Sequence, residues 1–242
     1  MVNPLPPTQE IVGIIPAAGD ATRWQHRIFK ELLPMPSGYC GLIHTAQAMI
    51  AAGATQLFVI GNKTKVGAIQ AIMQVNDLPI PWYYIGQADR THDMWGAIEL
   101  SFNIKAHVYL FGMPDTYYPL NTFLKFSPHN TFNLGVFFTH NPGRYGAFLP
   151  SDPTHIRDKV QNFYPDKPVE AWGTASWTWE LADFWANSTP YQHYSQAFNA
   201  AIDAFGVDAH LMDYYYDLAT YVDYRELLTH DYNLHARTTV RE

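Results

Sequence analysis

The sequence predicts an α/β fold built on a mixed, mainly parallel central sheet flanked by helices. Three observations predict it. Short apolar runs recur at residues 11–16, 55–61, 80–86 and 106–113, each of strand length and apolar enough to read as a strand buried on both faces. The segments between them repeat apolar residues at helical spacing. After about residue 130 the runs crowd together between Pro, Gly, Asn and Asp, so that half is expected to be mixed or partly antiparallel.

The elements follow in order. "IVGIIP" closes on Pro16 and hands over to a small-residue stretch. Leu42, Ala46, Met49 and Ile50 then fall on one helical stripe, and residues 64–75 and 91–104 read the same way. Strands alternating with helices call for parallel pairing and right-handed crossovers. Beyond residue 130, "NLGVFFTH", "RYGAFLP" and "AWGTASWTW" read as extended. Helical patterns return at 179–187, 193–205 and 221–230, with a short strand near 207–213. No repeat, low-complexity tract or linker interrupts the chain, which is read as one domain over residues 1–242 with halves at 1–130 and 131–242.

With 242 residues, 48% of them hydrophobic, the chain can bury a full core. A net charge of -7 leaves no global basic field, which argues against a nucleic-acid polymer as partner. A small anionic ligand would have to be met by local cations. Cys40 is the only cysteine, so an intrachain disulfide framework and a cysteine-rich metal cage are excluded, and a reducing compartment fits. "MVNPLPPTQE" has neither a basic nor an apolar signal region, and no apolar run approaches the roughly 18 residues of a membrane span. A cytoplasmic protein with no membrane partner is expected. The 11 histidines show no metal-ligand spacing.

In open α/β sheets, ligands bind outside the carboxyl ends of the strands. "PAAGDATR" leaves the first strand at that rim, with Arg23 and then Lys30 behind it. Backbone N–H groups of a small-residue loop can approach phosphate oxygens, and the two cations can neutralise them. The loop is neither a Walker A motif nor Gly-x-Gly-x-x-Gly. Asp115 follows the fourth run in "VYLFGMPDTYYP" and emerges at the same rim. Each residue also has a plainer reading: an ordinary βα connection for the loop, solvated charges for Arg23 and Lys30, a turn cap for Asp115, a helix N-cap for Asp217.

"PAAGDATR" followed by "KELLPM" resembles the signature of the sugar-1-phosphate nucleotidylyltransferases, of the glucose-1-phosphate thymidylyl- and uridylyltransferase kind. The resemblance implies a Rossmann-like sheet of the nucleotide-diphospho-sugar transferase type with a small β-rich sugar-binding lobe. It makes residues 1–130 the nucleotide-binding half and residues 131–242 the sugar-phosphate-binding half. Ala17, Ala18, Gly19, Asp20, Ala21, Thr22 and Arg23 would then hold a nucleoside triphosphate, and Lys30 would contact its phosphates.

Four later segments recur in the family's order. "FGMPDTYY" is similar to the strand end whose aspartate binds magnesium, here Asp115. "NPGRYGAFLPSD" resembles the segment that lies against the sugar, here Tyr145 and Gly146. "VQNFYPDKP" resembles the run whose lysine grips the sugar phosphate, here Lys167, with one extra residue after Phe163 that leaves Lys159 as a second candidate. "YYYDLATYVDYRELL" resembles the terminal run carrying the second magnesium carboxylate, here Asp217, with Tyr215 for the family's tryptophan and Ala219 for its glycine. Gln87 falls where the family meets the base, a lean towards thymidine or uridine.

The resemblance implies Mg2+ and a reaction of dTTP or UTP with a sugar 1-phosphate. In-line attack on the α-phosphate would give a nucleotide sugar and pyrophosphate. Magnesium takes oxygen ligands and often one or two carboxylates plus phosphates, a demand two aspartates can meet. Two alternatives stay open: a cytidylyltransferase acting on an alcohol phosphate such as phosphocholine, and a catalytically silent nucleotide-sugar-binding protein. The 16 Tyr and 7 Trp fit sugar stacking, core packing or a homo-oligomer interface equally.

Overall fold

The computed structural model describes residues 10–20, 24, 28–87, 94–161, 163, 165–188 and 190–238, with side chains to residue 229. The first apolar run forms β1 (Ile11–Pro16), in which Val12, Gly13, Ile14 and Ile15 are buried. Next come α1 (Gly41–Ala51), β2 (Gln56–Gly61), α2 (Val66–Val75), β3 (Trp82–Gly86), α3 (Met94–Ser101) and β4 (Val108–Gly112). This is the alternation the sequence predicts. β1 pairs in parallel with both β2 and β4, and β2 with β3.

β3 differs from the strand buried on both faces that its apolar run predicts. It is the edge of the sheet, and Tyr83 is 47% exposed. Tyr83 stacks on Phe58 of β2 at 5.2 Å between ring centroids, so an aromatic ring with a polar tip covers apolar surface while staying wet.

The second half adds β5 (Thr116–Tyr117), β6 (Phe132–Thr139), β7 (Gly146–Leu149), β8 (Asp152–Asp158) and β9 (Val169–Thr178). After α4 (Trp179–Asn187) and α5 (Tyr194–Phe205) come β10 (Asp208–Leu211), β11 (Tyr216–Asp217) and α6 (Tyr221–Thr238). β9 inserts antiparallel between β4 and β6, and β10 runs parallel to β6 at the other edge. The path is therefore β10-β6-β9-β4-β1-β2-β3. Two successive antiparallel pairings restore direction, so β6 and β10 point the same way as β4. The carboxyl ends of β1, β4, β6 and β10 all open on one rim.

Two smaller units sit beside this sheet. β7 and β8 form a hairpin joined to β9 at Ala147 and Ala171. β5 and β11 form a separate antiparallel ribbon. Strand side chains alternate between two cores: Val12 and Ile14 face one with Trp177 and Phe198, and Ile15 faces the other with Leu42 and Met49. Much of the aromatic content is core, since Trp177, Tyr109, Phe132 and Phe198 are essentially inaccessible. A Cβ on Gly41 would strike the carbonyl of Pro114, so α1 starts hard against the turn that carries Asp115. No helix among the described residues is long and apolar enough to cross a membrane.

Candidate active site

The order β3-β2-β1-β4 changes direction between β1 and β4, and in open α/β sheets such a switch point is where a ligand crevice opens. The small-residue loop leaves β1 there. The Ala17 N–H donates to Ile60 O at 2.6 Å. The Ala18 carbonyl accepts from Asn62 Nδ2 at 2.7 Å, and the Gly19 carbonyl accepts from Lys65 Nζ. Ala17 and Ala18 are buried, whereas Gly19 and Asp20 face solvent. Asn62 Nδ2 also reaches Asp20 Oδ1 at 3.0 Å. Ala21, Thr22 and Arg23 lie outside the described residues.

Lys30 opens a single 3-10 turn, Lys30–Leu32, and its Nζ meets Asp115 Oδ2 at 2.5 Å. Asp115 is delivered by the turn after β4. Its carbonyl accepts from the Leu218 N–H at 3.0 Å, one position beyond the ribbon in which Asp217 pairs with Thr116. Two aspartates from opposite halves of the chain are thereby brought to one cavity of about 140 Å³, whose walls include Tyr145, Gly146, Lys159 and Tyr215. A wider opening of about 700 Å³ shares Arg144, Tyr145, Tyr215 and Asp217 with it. Residues 17–20 share this rim without lining the cavity. Their link to it runs from Gly19 through Lys65 to Glu31, next to Lys30, and on to Asp115.

The electrostatics record the same convergence. Burial pushes the Asp217 carboxyl above its ordinary value and the charge of Asp115 pushes it further, while Arg144 and Lys30 oppose. Arg144, from the turn after β6, bonds Asp217 Oδ2 at 3.0 Å and holds both oxygens of Asp223, at 2.9 and 3.0 Å. Burial would raise Asp223 too, but the Arg144 and Thr220 bonds outweigh it and hold the carboxyl low. Asp223 accepts from the Thr220 N–H at 2.7 Å and returns its own N–H to Thr220 Oγ1 at 3.3 Å. This reciprocal pair starts α6, so Asp217 belongs to the ribbon and is not that helix's N-cap.

Lys159 lines the cavity, with its N–H donating to Tyr145 O at 2.9 Å and a φ of 42°. Lys167 is exposed in the turn before β9 and is not part of the cavity wall. Gln87 is buried at the rim end of β3, its N–H donating to Gly61 O at 2.8 Å. Cβ atoms at Gly146 and Gly173 would run into Trp172, Tyr194 and Tyr215. Both glycines therefore let aromatic side chains close over the backbone. Asp115 and Asp217 supply hard oxygen donors at one cavity, and no group of three or more His, Cys, Asp or Glu arranged to hold a metal ion occurs among the described residues. That donor set suits magnesium shared with phosphates and suits a softer transition metal poorly.

No family profile and no curated protein matches the chain. Solved structures do. A protein assigned as a glucose-1-phosphate thymidylyltransferase, from Bacillus anthracis and in complex with a sucrose, superposes with a TM-score of 0.76 at 15% identity, covering 90% of this chain and 93% of that one. The inositol-1-phosphate CTP transferase of T. maritima gives 0.70 at 13% identity over 94% and 98% of the two chains. UDP-glucose pyrophosphorylase of Acinetobacter baumannii gives 0.71 at 14% identity over 92% of each. The chain has the sugar-phosphate nucleotidyltransferase fold.

Within this nucleotidyltransferase fold, four residues without an assignment from the sequence contact the candidate site residues or the ribbon that carries Asp217. Asn62 and Lys65 follow β2 in "GNKTK" and emerge on the rim where the loop lies, a placement that strand order alone implies. Arg144 stands directly before Tyr145. Trp24 follows Arg23 in the sequence, and its buried ring donates Nε1–H to Leu218 O at 3.1 Å, which places Trp24 at the ribbon end.

Proposed function

We propose that the chain transfers a nucleotidyl group from a nucleoside triphosphate, dTTP or UTP, to a sugar 1-phosphate and releases pyrophosphate. The observation that carries this reading is the meeting of Asp115 and Asp217 at one cavity beside Lys159 and Gly146, on the switch-point rim that also bears the phosphate loop.

The chemistry follows from charge. An oxygen of the sugar phosphate attacks the α-phosphorus, a new P–O bond forms, and the bond from the α-phosphorus to the bridging oxygen breaks as pyrophosphate leaves. No general base is needed, because a phosphate monoester is already ionised near neutral pH. Asp115 and Asp217 are the residues that would hold Mg2+, which when bound supplies positive charge to the triphosphate. The loop N–H groups and Lys30 would cradle the phosphates, together with Arg23. Lys159 would orient the acceptor phosphate from the cavity wall, a role the sequence reading gave first to Lys167. Gln87, at the rim end of the edge strand, would meet the base.

A second reading concerns the acceptor. The cavity is walled by Tyr145, Trp172, Tyr194 and Tyr215, and such aromatic faces also suit the quaternary ammonium of an alcohol phosphate like phosphocholine. Pyrophosphate release tests both. dTTP, UTP and CTP are each offered glucose 1-phosphate, inositol 1-phosphate and phosphocholine with magnesium chloride. Turnover with the sugar phosphate and dTTP or UTP is expected. Turnover with CTP and an alcohol phosphate alone moves the function to the second reading, and nucleotide-sugar binding without any pyrophosphate overturns catalysis.

A further inference from the structure

Lys65 stands where a cation is least expected. It occupies the N-cap position of α2 and makes no side-chain cap bond there, although the positive end of a helix dipole disfavours a lysine and an Asp, Asn, Ser or Thr would serve the cap. It is also buried, at 3% exposure. Its Nζ pairs with Glu31 Oε1 at 2.8 Å, on a side chain 4% exposed, and donates to the Gly19 carbonyl. Replacing such a buried pair by apolar side chains of similar volume is often neutral or stabilising, so stability is a weak reason for these two charges.

Their positions supply a stronger reason. Gly19 belongs to the loop after β1, Glu31 is the neighbour of Lys30 in the 3-10 turn, and Lys65 comes from the rim end of β2. Lys30 in turn pairs with Asp115 at 2.5 Å. One ammonium group thus fastens the loop and the Lys30 turn to each other. Asn62 holds the same loop through the Ala18 carbonyl, and its own carbonyl accepts from the Tyr84 hydroxyl at 2.6 Å.

We propose that Lys65 is a positioning residue for the triphosphate: by fixing Gly19 and, through Glu31, Lys30, it makes the loop and the Lys30 ammonium engage one phosphate chain. The inference rests on the triphosphate reading above. Lys65 itself touches no reacting atom. Glu31 is the necessary counter-charge, because a lone buried ammonium would be expelled or neutralised.

The test compares the parent chain with Lys65→Met, Lys65→Arg and the double variant Glu31→Gln/Lys65→Met, each checked for folding by thermal melting. Binding of dTTP, UTP and CTP with magnesium chloride is measured by calorimetry, and the KM of the acceptor by pyrophosphate release. Lys65→Met is expected to weaken triphosphate binding by on the order of tenfold or more, as loss of a supporting contact commonly does, with the acceptor KM within about twofold. Lys65→Arg, which keeps the charge and the reach to Gly19, is expected to recover most of the affinity. The double variant removes the orphaned carboxylate, so its melting temperature is expected to return while its affinity does not. A double variant that binds triphosphate as the parent does overturns the proposal and leaves the pair merely structural. Failure of the parent chain to bind any of the three triphosphates overturns the functional reading instead.

Discussion

The backbone N–H of Leu218 donates to the carbonyl oxygen of Asp115 at 3.0 Å. With the Thr116–Asp217 pairing beside it, this bond joins the turn after β4 to the segment before α6, and so brings two carboxylates into one cavity. The catalytic reading rests on that short ribbon.

Asp217 is held at a cost. Burial first, and then the charge of Asp115, raise its carboxyl above the ordinary value of 3.8. The unfolded chain therefore ionises this group at lower pH than the folded one, so folding weakens as pH rises from about 3.8. The penalty is complete above the raised folded value. Asp217→Asn removes it, and Arg144 keeps Asp223 as a partner. The melting temperature of the variant at neutral pH is expected to equal or exceed the parent's, with the two converging near pH 4. A fall of more than about 4 °C at neutral pH, roughly 1 kcal/mol or more for a chain of this size, would contradict it.

Arg144 has the opposite sign. It holds Asp223 below the ordinary carboxylate value against the effect of burial, and that contribution to stability is present above about 3.8 and lost as pH falls through the lower folded value. Arg144→Met is expected to cost on the order of 1–3 kcal/mol at neutral pH, because Asp217 loses the Arg144 donor and Asp223 is left with Thr220 alone. Urea unfolding at neutral pH and at acid pH checks this, since the gap between variant and parent is expected to narrow in acid.

Gly173 faces the ring of Tyr215, and an added Cβ would overlap it. Tyr215 also stacks on Phe137 at 4.2 Å, so the ring has little room to retreat. Gly173→Ala is expected to destabilise by about 1–3 kcal/mol and to raise the acceptor KM, because Tyr215 forms part of the cavity wall. An unchanged acceptor KM in a folded variant would separate this wall from acceptor binding.

The two lysines, both exposed, differ in one respect: Lys159 lines the cavity and Lys167 does not. Lys159→Met is expected to raise the acceptor KM by on the order of tenfold or more, in line with loss of a charge-assisted phosphate contact, and Lys167→Met to leave it within about twofold. Steady-state pyrophosphate release measures both, and the reverse ranking would return the acceptor phosphate to Lys167.

Much of this was legible in the sequence because it is local. β1, its loop, Lys30 and Asp115 follow from strand length, strand ends and the rule that ligands sit at the carboxyl rim. The rest depends on partners that only folding supplies. β5 and β11 are two residues each and carry no periodicity, and β8 reads "DPTHIRD", with Ile156 as its one buried residue. β3 has the apolar run of an inner strand, but its place in the sheet order makes it an edge. The sequence leaves both Lys159 and Lys167 open because it does not show where the chain leaves β8 and enters β9, and only Lys159 lines the cavity. Lys65 carries no signal of its own in "GNKTK", because Glu31 and Gly19 are brought to it only by the fold.

The central claim is that Asp115 and Asp217 act as one unit, and a double-mutant cycle on pyrophosphate release tests it most directly. Asp115→Asn, Asp217→Asn and the variant carrying both are compared with the parent chain, using whichever triphosphate and acceptor the parent turns over. Residues that act jointly are strongly non-additive, so each single change is expected to lower kcat by on the order of a hundredfold or more, and the double variant to be no worse than the poorer single. A folded single variant that keeps parental kcat, or losses that multiply in the double, would contradict a shared role for the two carboxylates.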